Sequence, residues 1–364
     1  MPTNRRPLWA VALALAAPSC ATSEDAAPAL VCDASTCGDA EPDAPGFGTG
    51  DAGPDAANME ILQPGAAKWR VGPMDGVNEM VLGNTFAYVA GSVSFSKPEG
   101  FYEADLTPDA GTVKTLLSMA TPQQHPYSIA SDGSFIYAAY GTNPPIAPIV
   151  QLGVNQTLAP GAADMAIWSD KVDYAASPGL REVQLDGGGA KTLSGDAVIR
   201  LTADAQGVYW VSANNTVGAY DRASGTTVTA AFGNNVGSVG RPVRLGGYLY
   251  LAGGGTIFRW PVTGGAPETI ATLSAGVESG NNIAVDSKYV YTIGTIATPP
   301  VHFRLIRVPV AGGPEEILDD QLGYGRSLQA RPGLLVYVGG SSLWAYGALK
   351  PSPQTPDAGP PRIR

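Results

Sequence analysis

"NNIAVDSKYVYTIG" (residues 281–294) and "RLIRVPVAGGPEEIL" (residues 304–318) decide the fold, because looser copies of both recur along most of the chain. The first is a short apolar strand, an Asp-containing turn and a second strand centred on an aromatic. The second is a strand running into a Gly-Gly turn and then a fourth strand. Glycine at such tips supplies the positive φ that tight hairpins demand.

Working outward, the first half reappears as "MVLGNTFAYVAG" at 80, "SIASDGSFIYAAYG" at 128, "MAIWSDKVDYAA" at 165, "LTADAQGVYWVS" at 201, "PVRLGGYLYLAG" at 242 and "LQARPGLLVYVGG" at 328. The anchoring tyrosines Tyr88, Tyr137, Tyr174, Tyr209, Tyr250, Tyr291 and Tyr337 stand 35 to 49 residues apart. That matches the roughly 40–50 residues of one four-stranded propeller blade. The second half recurs as "RWPVTGGAPETIATL", "VQLDGGGAKTL", "AYDRASGTTVTAA" and "EADLTPDAGTVKTLL"; "IVQLGVNQTLA" is the poorest copy. Composition agrees, with 46 Gly, 31 Pro and only 15% charged residues, and no sustained helical spacing after the first 20 residues. The expected fold is all-β: a seven-bladed β-propeller of four-stranded antiparallel blades over residues 59–349.

The seventh unit ends after "SSLWAYGALK", one strand short. "MEILQPGAAKWRVG" (residues 59–72) precedes the first unit with no blade of its own. It is expected to pair onto blade 7 and close the ring, which removes two exposed sheet edges.

The turn-plus-aromatic pattern ("SDGSFIYAAYG", "ADAQGVYWVSA", "VDSKYVYTIG") and the R-x-P-x-x-G-G segment resemble YWTD-type and NHL-type β-propellers and exported bacterial propeller lipoproteins of unassigned function. The resemblance covers about four-fifths of the chain by the repeat count and implies fold far more than activity.

"MPTNRRPLWAVALALAAPSC" (residues 1–20) has Arg5 and Arg6, a short apolar run from Leu8 to Ala17, and small residues up to Cys20. This is the layout of an export signal. It resembles bacterial lipoprotein signals, which implies lipidation of Cys20 and, with Ala21 next, an outer-membrane destination. Plain cleavage near Ala21 would instead release a periplasmic or extracellular protein, and "NRRPLW" also fits the twin-arginine pattern loosely. Residues 21–58 are Asp-, Ala-, Pro- and Gly-rich, a composition that cannot repay the entropy of ordering, so they read as a disordered tether. Cys32 and Cys37 within it read as a disulfide loop in an oxidising compartment rather than a metal site. Residues 350–364 read as a disordered tail.

No catalytic, nucleotide, cofactor or metal constellation stands out. Asp132, Asp204 and Asp286, each five residues before its tyrosine, read as turn caps. Trp168, Trp210, Trp260 and Trp344 read as packing between blades. The two histidines, His125 and His302, cannot make a three-histidine zinc site but fall on one face, the top, where the loops entering each first strand meet those joining second to third strands. At the start of the first strands a polar ring is expected around the channel mouth: Glu79, Ser128, Asp164, Arg200, Arg241, Asn282 and Arg326. Of these, Glu79, Asp164, Arg200, Arg241 and Arg326 form the candidate site, suited to an anionic or zwitterionic ligand. A net charge of −10 without basic clusters argues against nucleic acid or an anionic membrane surface as partner. The expectation is a monomeric, envelope-tethered binding module with no cofactor, touching membrane only through its lipid and presenting its top face to a protein, glycan or small anionic ligand. The alternative is an exported lyase or hydrolase using His125 and His302.

Overall fold

The computed structural model describes residues 61–347 apart from 63–64, 75, 93–98, 109–110, 120–124, 142–146, 153–155, 178, 233–239, 275–276, 297–298, 321 and 323–326. The expected export signal with Cys20, the expected tether with Cys32 and Cys37, the expected C-terminal tail and Arg326 lie outside the described residues.

Seven four-stranded antiparallel sheets form the blades. Their first strands are Gly76–Leu82, His125–Ser131, Asp164–Trp168, Val198–Ala203, Val243–Leu245, Val277–Val285 and Leu328–Arg331. In blades 1 to 6 the sheet order follows the chain, a plain meander. The poorest repeat still makes a full blade, with third and fourth strands Ala147–Gln151 and Gln156–Ala162. First strands of adjacent blades meet around the centre at all junctions but that of blades 4 and 5, so they line the channel.

Blade 7 departs from the meander as expected. Its fourth strand is Ala67–Pro73, which pairs antiparallel with Ser342–Gly347 from Ala67 opposite Gly347 to Pro73 opposite Ser342. The closing segment is longer than a strand: Ile61 and Leu62 are buried between blades 6 and 7, and the Ile61 N–H donates to Asp286 Oδ2 at 2.8 Å. In this topology hairpins between first and second and between third and fourth strands share the bottom face. Ile61 sits beside one of them, and Gly347 ends a strand running toward the same face.

The core is a ring. Seven apolar clusters correspond to the seven blade junctions, from Val81, Tyr88 and Ile136 between blades 1 and 2 to Val71, Met80 and Val336 between blades 7 and 1. Alternate residues of each strand serve alternate junctions, as the two-residue period of a strand requires. Trp210 and Trp260 are fully buried in the junctions flanking blade 4, and Trp168 and Trp344 are half-buried against theirs. Trp210 lies directly across from Gly218, where any Cβ would collide with its indole.

The seven tyrosines all lie on second strands and are buried, yet they do not share a direction. Tyr88, Tyr137, Tyr209, Tyr250 and Tyr291 face the following blade, whereas Tyr174 and Tyr337 face the preceding one. In blade 3 Asp173 therefore occupies the forward-facing place and takes Arg222 of blade 4 at 2.5 Å. Burial is the main cause that raises the Asp173 carboxyl to about 7; Arg222 opposes it and Glu182 adds to it.

The three turn aspartates cap their turns. Oδ1 of Asp132 accepts the N–H groups of Ser134 and Phe135 at 2.8 and 2.7 Å. Asp204 does the same for Gln206 and Gly207, and Asp286 for Lys288 and Tyr289. Each also accepts the hydroxyl of the tyrosine five residues on. One carboxylate thus locks the hairpin tip to the strand that follows it.

Candidate functional site

The channel mouth is built by a local irregularity that three blades share. In blades 1, 2 and 4 the first strand slips register against the second between Val77 and Glu79, between Pro126 and Ser128, and between Val198 and Arg200. An extra residue there bends the strand and re-aims its neighbours, as a β-bulge does. The bulged residues Asn78 and Ile199 are exposed, while Glu79 and Ser128 are buried.

Four members of the expected ring converge: Glu79, Ser128, Asp164 and Arg241. The guanidinium of Arg241, just before the first strand of blade 5, pairs through Nη2 with Glu79 of blade 1 and with Asp164 of blade 3. Asp164 also accepts the Ser128 hydroxyl at 3.2 Å and the Leu201 N–H at 2.8 Å. Glu79 Oε2 accepts the Ile129 N–H at 3.2 Å, while Oε1 meets Arg241 as an ion pair without the alignment of a hydrogen bond. The cluster ties blades 1 to 5 together, and one side chain spans non-adjacent blades.

Burial raises the Glu79 carboxyl to about 7, with Arg241 acting against that and the neighbouring Asp164 charge adding to it. Two carboxylates around one guanidinium leave the cluster anionic once Glu79 ionises. Arg241 is therefore a structural tie, neutralised in place. Arg200 is different. It is exposed, and its Nη1 donates to the Ile199 carbonyl at 3.0 Å. Ile199, at 36% exposure, sits beside it. Asn282 lies in the first strand of blade 6, with its side chain outside the described residues.

The two histidines are not brought together. His125 opens the first strand of blade 2 and its Nδ1 lies 2.9 Å from Glu99 Oε2. His302 opens the third strand of blade 6, with Nδ1 2.9 Å from the Pro300 carbonyl and Nε2 3.3 Å from Asp320. Among the described residues no group of three or more His, Cys, Asp or Glu side chains could hold a metal ion.

The Asp173 cluster was not legible in the sequence. Asp173 and Glu182 of blade 3 pair with Arg222 of blade 4, Lys171 pairs with Glu182, and Asp173 Oδ1 is buried without a hydrogen-bond partner among the described residues. The one sequence signal was the acidic residue preceding Tyr174 in "KVDYA", where the other repeats carry an apolar residue.

No protein-family model and no curated protein matches the chain. Solved structures do. The structure described as RRP9 WD40 repeats superposes with a TM-score of 0.57 at 12% identity, covering 80% of this chain and 99% of that one. YCF48 bound to D1 peptide gives 0.56 at 11% identity, with 80% and 99% covered. A chain of the Mitotic Checkpoint Complex gives 0.56 at 15% identity, with 80% and 93% covered. At such identities the likeness is one of fold, and the fold is the seven-bladed β-propeller.

Proposed function

We propose that the chain is a non-catalytic binding propeller of the cell envelope, tethered through Cys20 and offering its top face to a partner that carries an anionic group. The observation that carries this reading is the division of labour between the two mouth arginines. Arg241 is consumed by Glu79 and Asp164, whereas Arg200 presents an exposed guanidinium next to exposed Ile199. A fork beside an aliphatic side chain suits a carboxylate or phosphate borne on a less polar body. Glu79, Asp164 and Arg241 then act as the rigid floor beneath Arg200. Within the described residues the chain enters at Ile61 and leaves at Gly347, both toward the bottom face. The separate, independently paired histidines favour binding over acid–base chemistry.

A thermal-shift screen of small anions and acidic oligosaccharides on the wild type and on Arg200→Ala tests this. The expected result is a ligand that stabilises the wild type and has no effect on the variant. A ligand that raises both melting temperatures equally, or a screen without any response, removes the anion site. The anchor is read separately by mass spectrometry of the mature chain, where an unmodified Cys20 removes the tether.

A further inference from the structure

The internal repeat exposes an unmatched pair of groups on the bottom face. Blades 4 and 6 show what the aspartate turn does beyond capping. In blade 4 the Asp204 carboxylate takes Arg244 of blade 5, Nη1 to Oδ2 at 2.6 Å, and that guanidinium lies 5.5 Å from the centre of the Tyr209 ring. In blade 6 Asp286 Oδ2 takes the Ile61 N–H in addition to the Tyr291 hydroxyl. The aromatic three residues after Asp286, Tyr289, carries a guanidinium of its own: Arg307 stacks over it at 4.2 Å. Every copy but one has donors from elsewhere in the chain on its carboxylate.

Blade 2 has the same parts without the cation. Among the described residues Asp132 Oδ2 accepts only the Tyr137 hydroxyl, at 2.7 Å. Counting from the hairpin, Ile167 of blade 3 stands where Arg244 stands in blade 5, so no donor comes from there. Phe135 holds the place of Tyr289, and Gln151 holds the place of Arg307, since Gln151 pairs with Tyr137 as Arg307 pairs with Tyr291. Asp132 and Phe135 are both partly exposed, and Ile167 and Leu185 lie half-buried against the same junction. Two independent positions of the repeat, the carboxylate and the aromatic, thus lack the same chemical partner.

We propose that this notch between blades 2 and 3 docks an arginine side chain of a protein partner, its guanidinium on Asp132 and against the ring of Phe135, with Ile167 and Leu185 receiving aliphatic residues beside it. The carboxylate supplies charge complementarity, and the ring selects a flat cation over a compact ammonium. Arg244 and Arg307 are the precedents within the chain for each half of that contact. The inference concerns the bottom face and is independent of the anion site at the top.

The test is chemical-shift mapping on the ¹⁵N-labelled full chain with acetyl-Leu-Arg-Leu-amide and with the same peptide carrying citrulline, which has the shape without the charge. The arginine peptide should give saturable shifts at the amides of Ser134 and Phe135, and the citrulline peptide none. Phe135→Leu, which keeps the turn aspartate, should weaken binding about fivefold, the scale of one partly exposed cation–aromatic contact. Asp132→Asn should abolish it while its amide oxygen still caps the turn. Equal shifts with the citrulline peptide, undiminished binding in Asp132→Asn, or no saturable response in the wild type each overturns the proposal.

Discussion

Glu79 is a carboxyl buried among charges, and its consequence is a pH dependence opposite to that of ordinary surface ion pairs. In the unfolded chain it titrates at its usual 4.5, whereas in the folded ring burial holds it near 7. Between those values the native state binds more protons than the unfolded one, so this residue's contribution to stability declines as pH rises from about 4.5 through 7 and then levels off. The slope from one such group is at most about 1.4 kcal/mol per pH unit. Asp173, also raised to about 7, adds a second decline of the same sign. Glu79→Gln removes the first, so the melting temperature of the variant should fall less steeply than that of the wild type between pH 5 and 7. Parallel curves would mean that the folded protein holds Glu79 ionised throughout. Sequence could place Glu79, Asp164 and Arg241 in one ring because first-strand starts are easy to find. That one guanidinium would reach both carboxylates was hidden, since reach depends on the bulges and the channel width.

Among the elements, the strand Ala67–Pro73 was foreseeable because one repeat lacked a strand and an orphan segment had strand-like residues. The sequence assigned residues 59–72 to closure as one strand, whereas pairing begins only at Ala67; Ile61 and Leu62 pack between blades 6 and 7 instead, held by the carboxylate of Asp286, distant in the chain. Deleting residues 59–73 strips buried Ile61, Leu62 and Val71 from the junctions and uncovers an edge of blade 7. At about 1.5–3 kcal/mol for each such side chain, the melting temperature should drop by about 10 °C or more. Deleting residues 21–57 should leave it within a degree or so, by calorimetry on the two truncations side by side. Equal losses would show that closure does not depend on the strand. The same scale explains why Tyr174 and Tyr337 mislead. Matching repeats on an aromatic identifies a strand, but a one-residue offset turns the ring toward the other neighbour. The letter was legible, and the direction became legible only with the neighbouring blade in place.

For the whole molecule, the ring and its number of blades were readable because an apolar strand, a turn and a tyrosine-bearing strand recur seven times at blade-length spacing. The division between a buried Glu79–Arg241–Asp164 cluster and an exposed Arg200 was not readable, because it arises between blades far apart in sequence. The closing strand carries a further meaning. Ala67 lies opposite Gly347, so the first and last strands of the propeller are neighbours in one sheet, and their bottom ends meet. Neighbouring ends make circular permutation tolerable. Joining residue 347 to residue 66 by a short glycine-rich linker and opening the chain at the hairpin of Gly264 and the exposed Gly265 should return a cooperative fold with the same far-ultraviolet spectrum, at a melting temperature lowered by the loss of buried Ile61 and Leu62. A molten product would mean that blade 1 must be made first. The order in which the blades are written would then belong to how the chain is synthesised and folded, while the finished ring has no first blade.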